Sequence, residues 1–136
     1  MKGELDDMLR EINNELERKV EKFEKMVEKN VIIINEKNFD EIISRNRLVL
    51  VDCWASWCAP CILYEPVFSK VAQKYSNKGV VFARLNVDEN PAIVQRFSIM
   101  NIPITLIIEN GELRDTILGA VGEEVLEEYV KKYLKS

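Results

Sequence analysis

The spacing of apolar residues divides the chain into two stretches with different periods. In residues 1–30, Leu5, Leu9, Ile12, Leu16, Val20, Phe23, Met26 and Val27 stand among charged neighbours at intervals of three and four. That is the stripe of one long amphipathic helix. Glu15 with Lys19 and Glu21 with Lys25 form favourable i,i+4 pairs, no proline interrupts the stretch, and its only glycine, Gly3, lies near the end. About 27 residues at about 1.5 Å each make a rod of ~40 Å. Leu9, Leu16 and Phe23 fit one heptad position and Leu5, Ile12 and Met26 the other, with Lys19 breaking the second series. The seam is too short to define a coiled coil by itself.

Beyond Asn30 the period changes. Residues 31–34 predict a short strand, and 35–46 a helix with Phe39, Ile42 and Ile43 on one face. The run LVLVDCW at 48–54 is almost continuously apolar, as expected of a buried parallel strand. Residues 60–75 read as a helix in which Pro66 predicts a kink. A strand follows at 80–87. Asn90 and Pro91 mark a helix start, as N-cap and first helical residue, and that helix runs to 97. A strand at 104–109 meets Asn110-Gly111, the strongest short hairpin signal, and continues as a last strand at 112–118. Residues 122–134 form a closing amphipathic helix. The order is α, then βαβαβαββα, which implies a sheet of crossover-connected strands with an added antiparallel pair. The division expected is a helical extension, 1–30, and one domain, 31–136.

Composition narrows the function. Apolar residues make up 47 % of 136, enough for a core without disulfide staples. Acids outnumber bases 23 to 19, which argues against nucleic acid as a partner, since no basic excess is available to neutralise phosphates. No apolar run is long enough to span a membrane. The opening MKGELDDMLREINNELERK lacks the apolar core of a secretory signal, so a cytoplasmic location is expected. Charged residues are 31 %, rich in Lys and Glu, which resembles the composition of thermophile proteins. Histidine is absent, which removes every Cys/His zinc arrangement and every triad that relies on imidazole. Any general base must then be a carboxylate, an amine or a thiolate.

The chemistry concentrates at Trp57-Cys58-Ala59-Pro60-Cys61. Cys58 follows a buried strand and opens a helix, where unpaired N–H groups and the positive dipole end favour thiolate over thiol. Cys61 lies about one turn on and can reach it, which suits thiol–disulfide exchange. A metal reading takes Cys53 as well, for the spacing C-x4-C-x2-C, but that cluster motif needs a fourth cysteine and the chain has three. A metal shared between two chains and a purely structural pair are the minor alternatives. No metal and no cofactor are expected.

The segment VDCWASWCAPC at 51–61 resembles the active-site signature of the thioredoxin family, usually WCGPC. Asp52 matches the family's buried aspartate, Pro66 its helix proline, residues 84–91 its third-strand segment, Ile102-Pro103 its cis-proline, Asn110-Gly111 its hairpin and Gly119-Ala120 its glycine loop. The resemblance covers about 31–136. It implies an α/β thioredoxin fold, a central mixed five-stranded sheet with helices on both faces, here preceded by the long amphipathic helix. It implies a thiol–disulfide oxidoreductase that reduces protein disulfides, with Cys58 as attacking thiol and Cys61 as buried resolving thiol. Asp52, beneath the sheet end near Cys61, would have a raised pKa and exchange a proton with it. Trp57, Ala59, Pro60, Ile102, Pro103, Gly119 and Ala120 would form an apolar docking face. Trp54 and Cys53 are read as packing residues, Cys53 on the opposite sheet face. The partners implied are a thioredoxin reductase or equivalent electron donor and disulfide-containing proteins.

Departures from the family pattern are Ala59 for glycine, Arg84 for lysine near the aspartate, Ile104 for threonine and Asn101 for glycine. Arg84 cannot lose its charge. A scaffold or targeting protein working through its N-terminal helix, and a specialised disulfide oxidase or isomerase, are the alternative functions. The helix itself is expected to pack on something, by self-association through residues 5–27 or on a dedicated partner.

Overall fold

The computed structural model describes residues 2–135; in the first helix it describes the side chains of residues 3–19 and of Asn30. The elements run α1 (Lys2–Asn30), β1 (Val31–Ile33), α2 (Phe39–Arg45), β2 (Leu48–Trp54), α3 (Ala59–Tyr75), a 3-10 turn (Ser76–Lys78), β3 (Val80–Asn86), α4 (Pro91–Arg96), β4 (Ile104–Glu109), β5 (Glu112–Leu118) and α5 (Glu123–Leu134). The five strands form one mixed sheet in the order β1-β3-β2-β4-β5. β3 is parallel to both β1 and β2, and β4 is antiparallel to β2 and β5.

β2 lies at the centre, and its alternation sorts the core into two layers. Leu48 and Leu50 face α3 and α5, where Tyr64, Phe68, Val71, Leu126 and Val130 close over Val80, Phe82 and Ile107. Val49, Val51 and Cys53 face α2 and α4, against Phe39, Ile43, Ala83, Leu85, Ile93 and Leu106. Six of the seven β2 residues are buried, the pattern of a strand covered on both faces.

Local chemistry sets the start of α2 and the entry to α4. α2 begins at Phe39 because residues 35–38 form a polar turn: Asn35 Oδ1 accepts from the Lys37 and Asn38 N–H groups, and the Asn35 N–H donates to Asn38 Oδ1. Asn90 is the N-cap of α4 and Pro91 follows it, as expected, but its side chain makes no cap bond: its Oδ1 accepts from the Glu36 N–H and its Nδ2 donates to the Asn86 carbonyl, so it ties two loops together. Pro66 lies inside α3, which runs on to Tyr75. At the hairpin, Asn110 (φ 53°) and Gly111 (φ 79°) both take left-handed conformations, the geometry that favours this dipeptide.

α1 joins β1 with no intervening loop, and Asn30 Oδ1 accepts from the Ser76 hydroxyl. Along the described part of the helix, Leu5, Met8, Leu9, Ile12 and Leu16 are all more than half exposed. This half of the apolar stripe therefore does not pack on the domain. Val20, Phe23, Met26 and Val27, and the Glu21–Lys25 pair, lie outside the described side chains.

Candidate active site

β2 ends at Trp54, and the chain turns through Ala55, Ser56 and Trp57 to enter α3. Cys58 is the N-cap of that helix, with Ala59 and Pro60 in the first turn. The Cys58 N–H donates to the Ala55 carbonyl (3.2 Å), fixing the turn. Cys58 and Cys61 are joined as a disulfide, their Cα atoms 5.3 Å apart. The Cys61 N–H donates to Cys58 Sγ at 3.2 Å. The free N–H end of a helix is thus aimed at this one sulfur, an arrangement that favours negative charge there once the disulfide opens. Cys58 is slightly exposed and Cys61 wholly buried (5 % and 0 %), so only the first sulfur faces incoming molecules.

Tertiary contacts bring the remaining expected residues to the same place, in three ways. The Ile102–Pro103 bond is cis, and the Ile102 carbonyl oxygen lies 3.9 Å from Cys58 Sγ. Gly119, with φ +90°, donates its N–H to the Pro103 carbonyl at 2.8 Å, which anchors Gly119-Ala120 beside the proline; a side chain at 119 would be strained there. Trp57 is 70 % exposed, with its indole Nε1–H donating to Asp88 Oδ2 at 2.9 Å. Ala59, Pro60 and Ala120 are exposed and Ile102 half-buried, while Pro103 itself is buried. Met100, two residues before Ile102 in the chain, is 88 % exposed.

Asp52 is completely buried on the α3 side of β2. Burial pushes its pKa up from the ordinary carboxyl range to about 6, and the nearby Arg84 guanidinium opposes that rise. Arg84 Nε lies 3.4 Å from Asp52 Oδ2, and Arg84 Nη1 lies 3.3 Å from Glu65 Oε1. The guanidinium also stacks on the Trp54 ring, 4.3 Å from its centroid. Asp52 Oδ1 has no hydrogen-bond partner among the described residues. Beside it, the Tyr64 hydroxyl and Thr105 Oγ1 share a buried hydrogen bond of 2.8 Å. Cys53, one residue on, points into the other layer, where burial first and the Asp52 charge second push its thiol pKa far up.

Sequence reasoning missed three of these neighbours. Asp88 as the partner of Trp57, the Tyr64–Thr105 bond and Glu65 as the second partner of Arg84 all join residues distant along the chain. The pairing of Asp52 with both Arg84 and Thr105 across the central sheet sets the partners of Glu65 and Tyr64 on either side of the carboxyl. A position on α3 one residue before Pro66 was the only trace of Glu65 in the sequence.

A helix-capping disulfide beside a cis-proline, at the end of the central strand of this sheet, defines a thiol–disulfide oxidoreductase. The Thioredoxin family profile matches residues 30–132, and the chain belongs to that family. It is 40 % identical over 100 residues to a thioredoxin of Chlorobaculum thiosulfatiphilum, covering 73 % of this chain and 92 % of that protein. It is 38 % identical over 105 residues to an M-type chloroplastic thioredoxin of Pisum sativum, covering 76 % of this chain and 60 % of that protein. Among solved structures, a thioredoxin of Malassezia sympodialis superposes with a TM-score of 0.71 at 29 % identity, over 77 % of this chain and 94 % of that one. The protein is accordingly a protein-disulfide reductase or redox carrier, for which a reductase donor and disulfide-containing substrates are the general partners. Among the described residues no helix is long and apolar enough to cross a membrane.

Proposed function

We propose that Cys58 is the attacking thiol, Cys61 the resolving thiol and Asp52 the group that takes the Cys61 proton. The Cys58 thiolate attacks one sulfur of a substrate disulfide, forms a mixed disulfide and releases the other substrate sulfur as a thiolate. Cys61, deprotonated by Asp52, attacks Cys58 Sγ, releases the second substrate thiolate and closes the Cys58–Cys61 disulfide. Two electrons pass to the substrate, whose two thiolates take up one proton from Asp52 and one from water, and the donor reductase returns the two electrons to the pair. The observation that carries this reading is the 3.2 Å approach of the Cys61 N–H to Cys58 Sγ, with Cys61 itself buried. Trp57, Ala59, Pro60, Ile102, Pro103, Gly119 and Ala120 form the surface on which the substrate chain docks. Cys58→Ser should abolish reduction of a model protein disulfide, and Cys61→Ser should trap the mixed disulfide. Faster alkylation of Cys61 than of Cys58 in the reduced protein would reverse the two roles.

As a reductant the pair works in a reducing, cytoplasmic setting, and its potential should lie near about −270 mV; a value toward about −120 mV would make it an oxidase instead. Residues 31–136 act as the redox domain and 1–30 as a separate extension. The extension pairs with a second copy through residues 5–27. Its exposed leucines support this, as does its charge: residues 2–17 carry six acids and two bases, and residues 18–29 five bases and three acids. Antiparallel pairing sets unlike halves side by side. Sedimentation should give a dimer for the full chain and a monomer for residues 31–136. A monomeric full chain would leave the helix to a dedicated partner, the scaffold or targeting alternative.

A further inference from the structure

Arg84 is shared between two carboxylates of different character. Asp52, on β2, is fully buried, and Glu65, on α3, is 38 % exposed at the rim of a groove of about 690 Å³ that Arg84 and Trp54 also line. Both contacts are long, 3.4 Å and 3.3 Å, and Arg84 Nη2 has no partner among the described residues, so the guanidinium sits between the acids without committing a paired fork to either. A lysine at 84 could lower its grip on Asp52 by giving up its proton; an arginine cannot. A permanent cation against Asp52 would by itself hold that carboxylate ionised and make it a poor proton acceptor.

We propose that Glu65 is a positioning residue: by holding the far side of the Arg84 guanidinium and adding its own negative charge, it keeps Asp52 basic enough to take the Cys61 proton. This rests on the reading of Asp52 as the proton acceptor. The other groups that face Asp52 do not supply the effect. Tyr64, on α3, is engaged with Thr105 of β4; burial pushes its pKa up, so it stays neutral. Cys61 is the proton donor itself. Cys53, on the same strand, points to the opposite layer as a neutral thiol. Glu36, Lys37 and Glu89 line the groove beyond Glu65 and Arg84.

The test follows the Asp52 titration in the oxidised protein, by chemical denaturation between about pH 4 and 7, the window of a carboxyl raised by burial. The wild type, Glu65→Asp, Glu65→Gln, Glu65→Lys and Asp52→Asn are compared. The midpoint should fall by about half a pH unit in Glu65→Gln and further in Glu65→Lys, while Glu65→Asp stays near wild type. Glu65 is partly exposed, so the variants should fold, and far-ultraviolet circular dichroism checks this. Resolution of a preformed mixed disulfide at neutral pH should slow about two- to threefold in Glu65→Gln, the cost of a weaker base. An Asp52 midpoint unmoved or raised in Glu65→Gln and Glu65→Lys, with Asp52→Asn flat, overturns the role of Glu65 alone. A wild-type profile in Asp52→Asn overturns the reading of Asp52 as well.

Discussion

Asp52 and Cys53 are consecutive on β2 and equally buried, yet they belong to different regions of the molecule. The layer under α3 and α5 holds, at its open end, Arg84, Glu65, Tyr64 and Thr105 around a carboxyl that titrates at about 6. The layer under α2 and α4 surrounds Cys53 with Val49, Val51, Leu85, Ile93 and Leu106. Burial acts on both groups. In the first layer a cation opposes it and brings the titration back within physiological reach; in the second nothing does, and the thiol is inert. Period-two alternation along a strand is therefore enough to separate a reactive group from a packing group one residue away.

The largest effects should come from emptying either layer. Phe68→Ala, which removes a ring packed 5.4 Å from Phe82, and Phe39→Ala, which removes one 5.4 Å from Phe97, should each cost about 3–5 kcal/mol by chemical denaturation. Only Phe68→Ala should also slow disulfide reduction by the folded fraction, because Phe68 supports the helix that carries Cys58 and Cys61. Equal slowing by both would mean that the layers are not independent.

Next in size is Asp52→Asn. The folded pKa of Asp52, about 6, lies above its ordinary value of 3.8, so the native state binds the extra proton between these values. Its stabilising contribution is full below about pH 4, is lost as pH rises to about 6, and stays lost above. Denaturation of the oxidised wild type should follow that slope, with a fall of up to about 3 kcal/mol, and Asp52→Asn should lack it. The variant should also resolve mixed disulfides more slowly. A slope retained in the variant would assign it to another group.

Cys53→Ala should cost about 1 kcal/mol, the loss of one small buried group, with the reduction rate and the pH profile unchanged. A changed profile would show that Cys53 is not a neutral packing group in this pH range. The smallest effect belongs to α1. Deleting residues 1–19, of which the described side chains (3–19) are all exposed, should move the domain's unfolding free energy by no more than about 0.5 kcal/mol and leave reduction intact.

Much of this was legible along the chain. The bounds of β2, β4 and β5 are those expected from two apolar runs and a hairpin turn, since strands packed on both faces or closed by Asn110-Gly111 leave little freedom in register. The start of α2 was not, because Asn35 and Asn38 can cap either a helix or a turn, and the bonds they form in this fold favour the turn. Asn90 takes its expected N-cap position, but its amide is drawn to Glu36 and Asn86 instead of the helix N–H groups, partners that sequence spacing cannot reveal.

What the sequence determined by itself is the set of elements and the reactive pair, because hydrophobic period, turn residues and a CxxC at a helix start are local properties. What only the tertiary structure decided is how that pair is served. The Ile102 carbonyl near Cys58, the Gly119 loop tied to Pro103, and the sharing of Arg84 between Asp52 and Glu65 join segments far apart in the chain. Their energies depend on burial and on distances of a few ångströms, and these exist only once the central sheet has aligned β2 with β3 and β4.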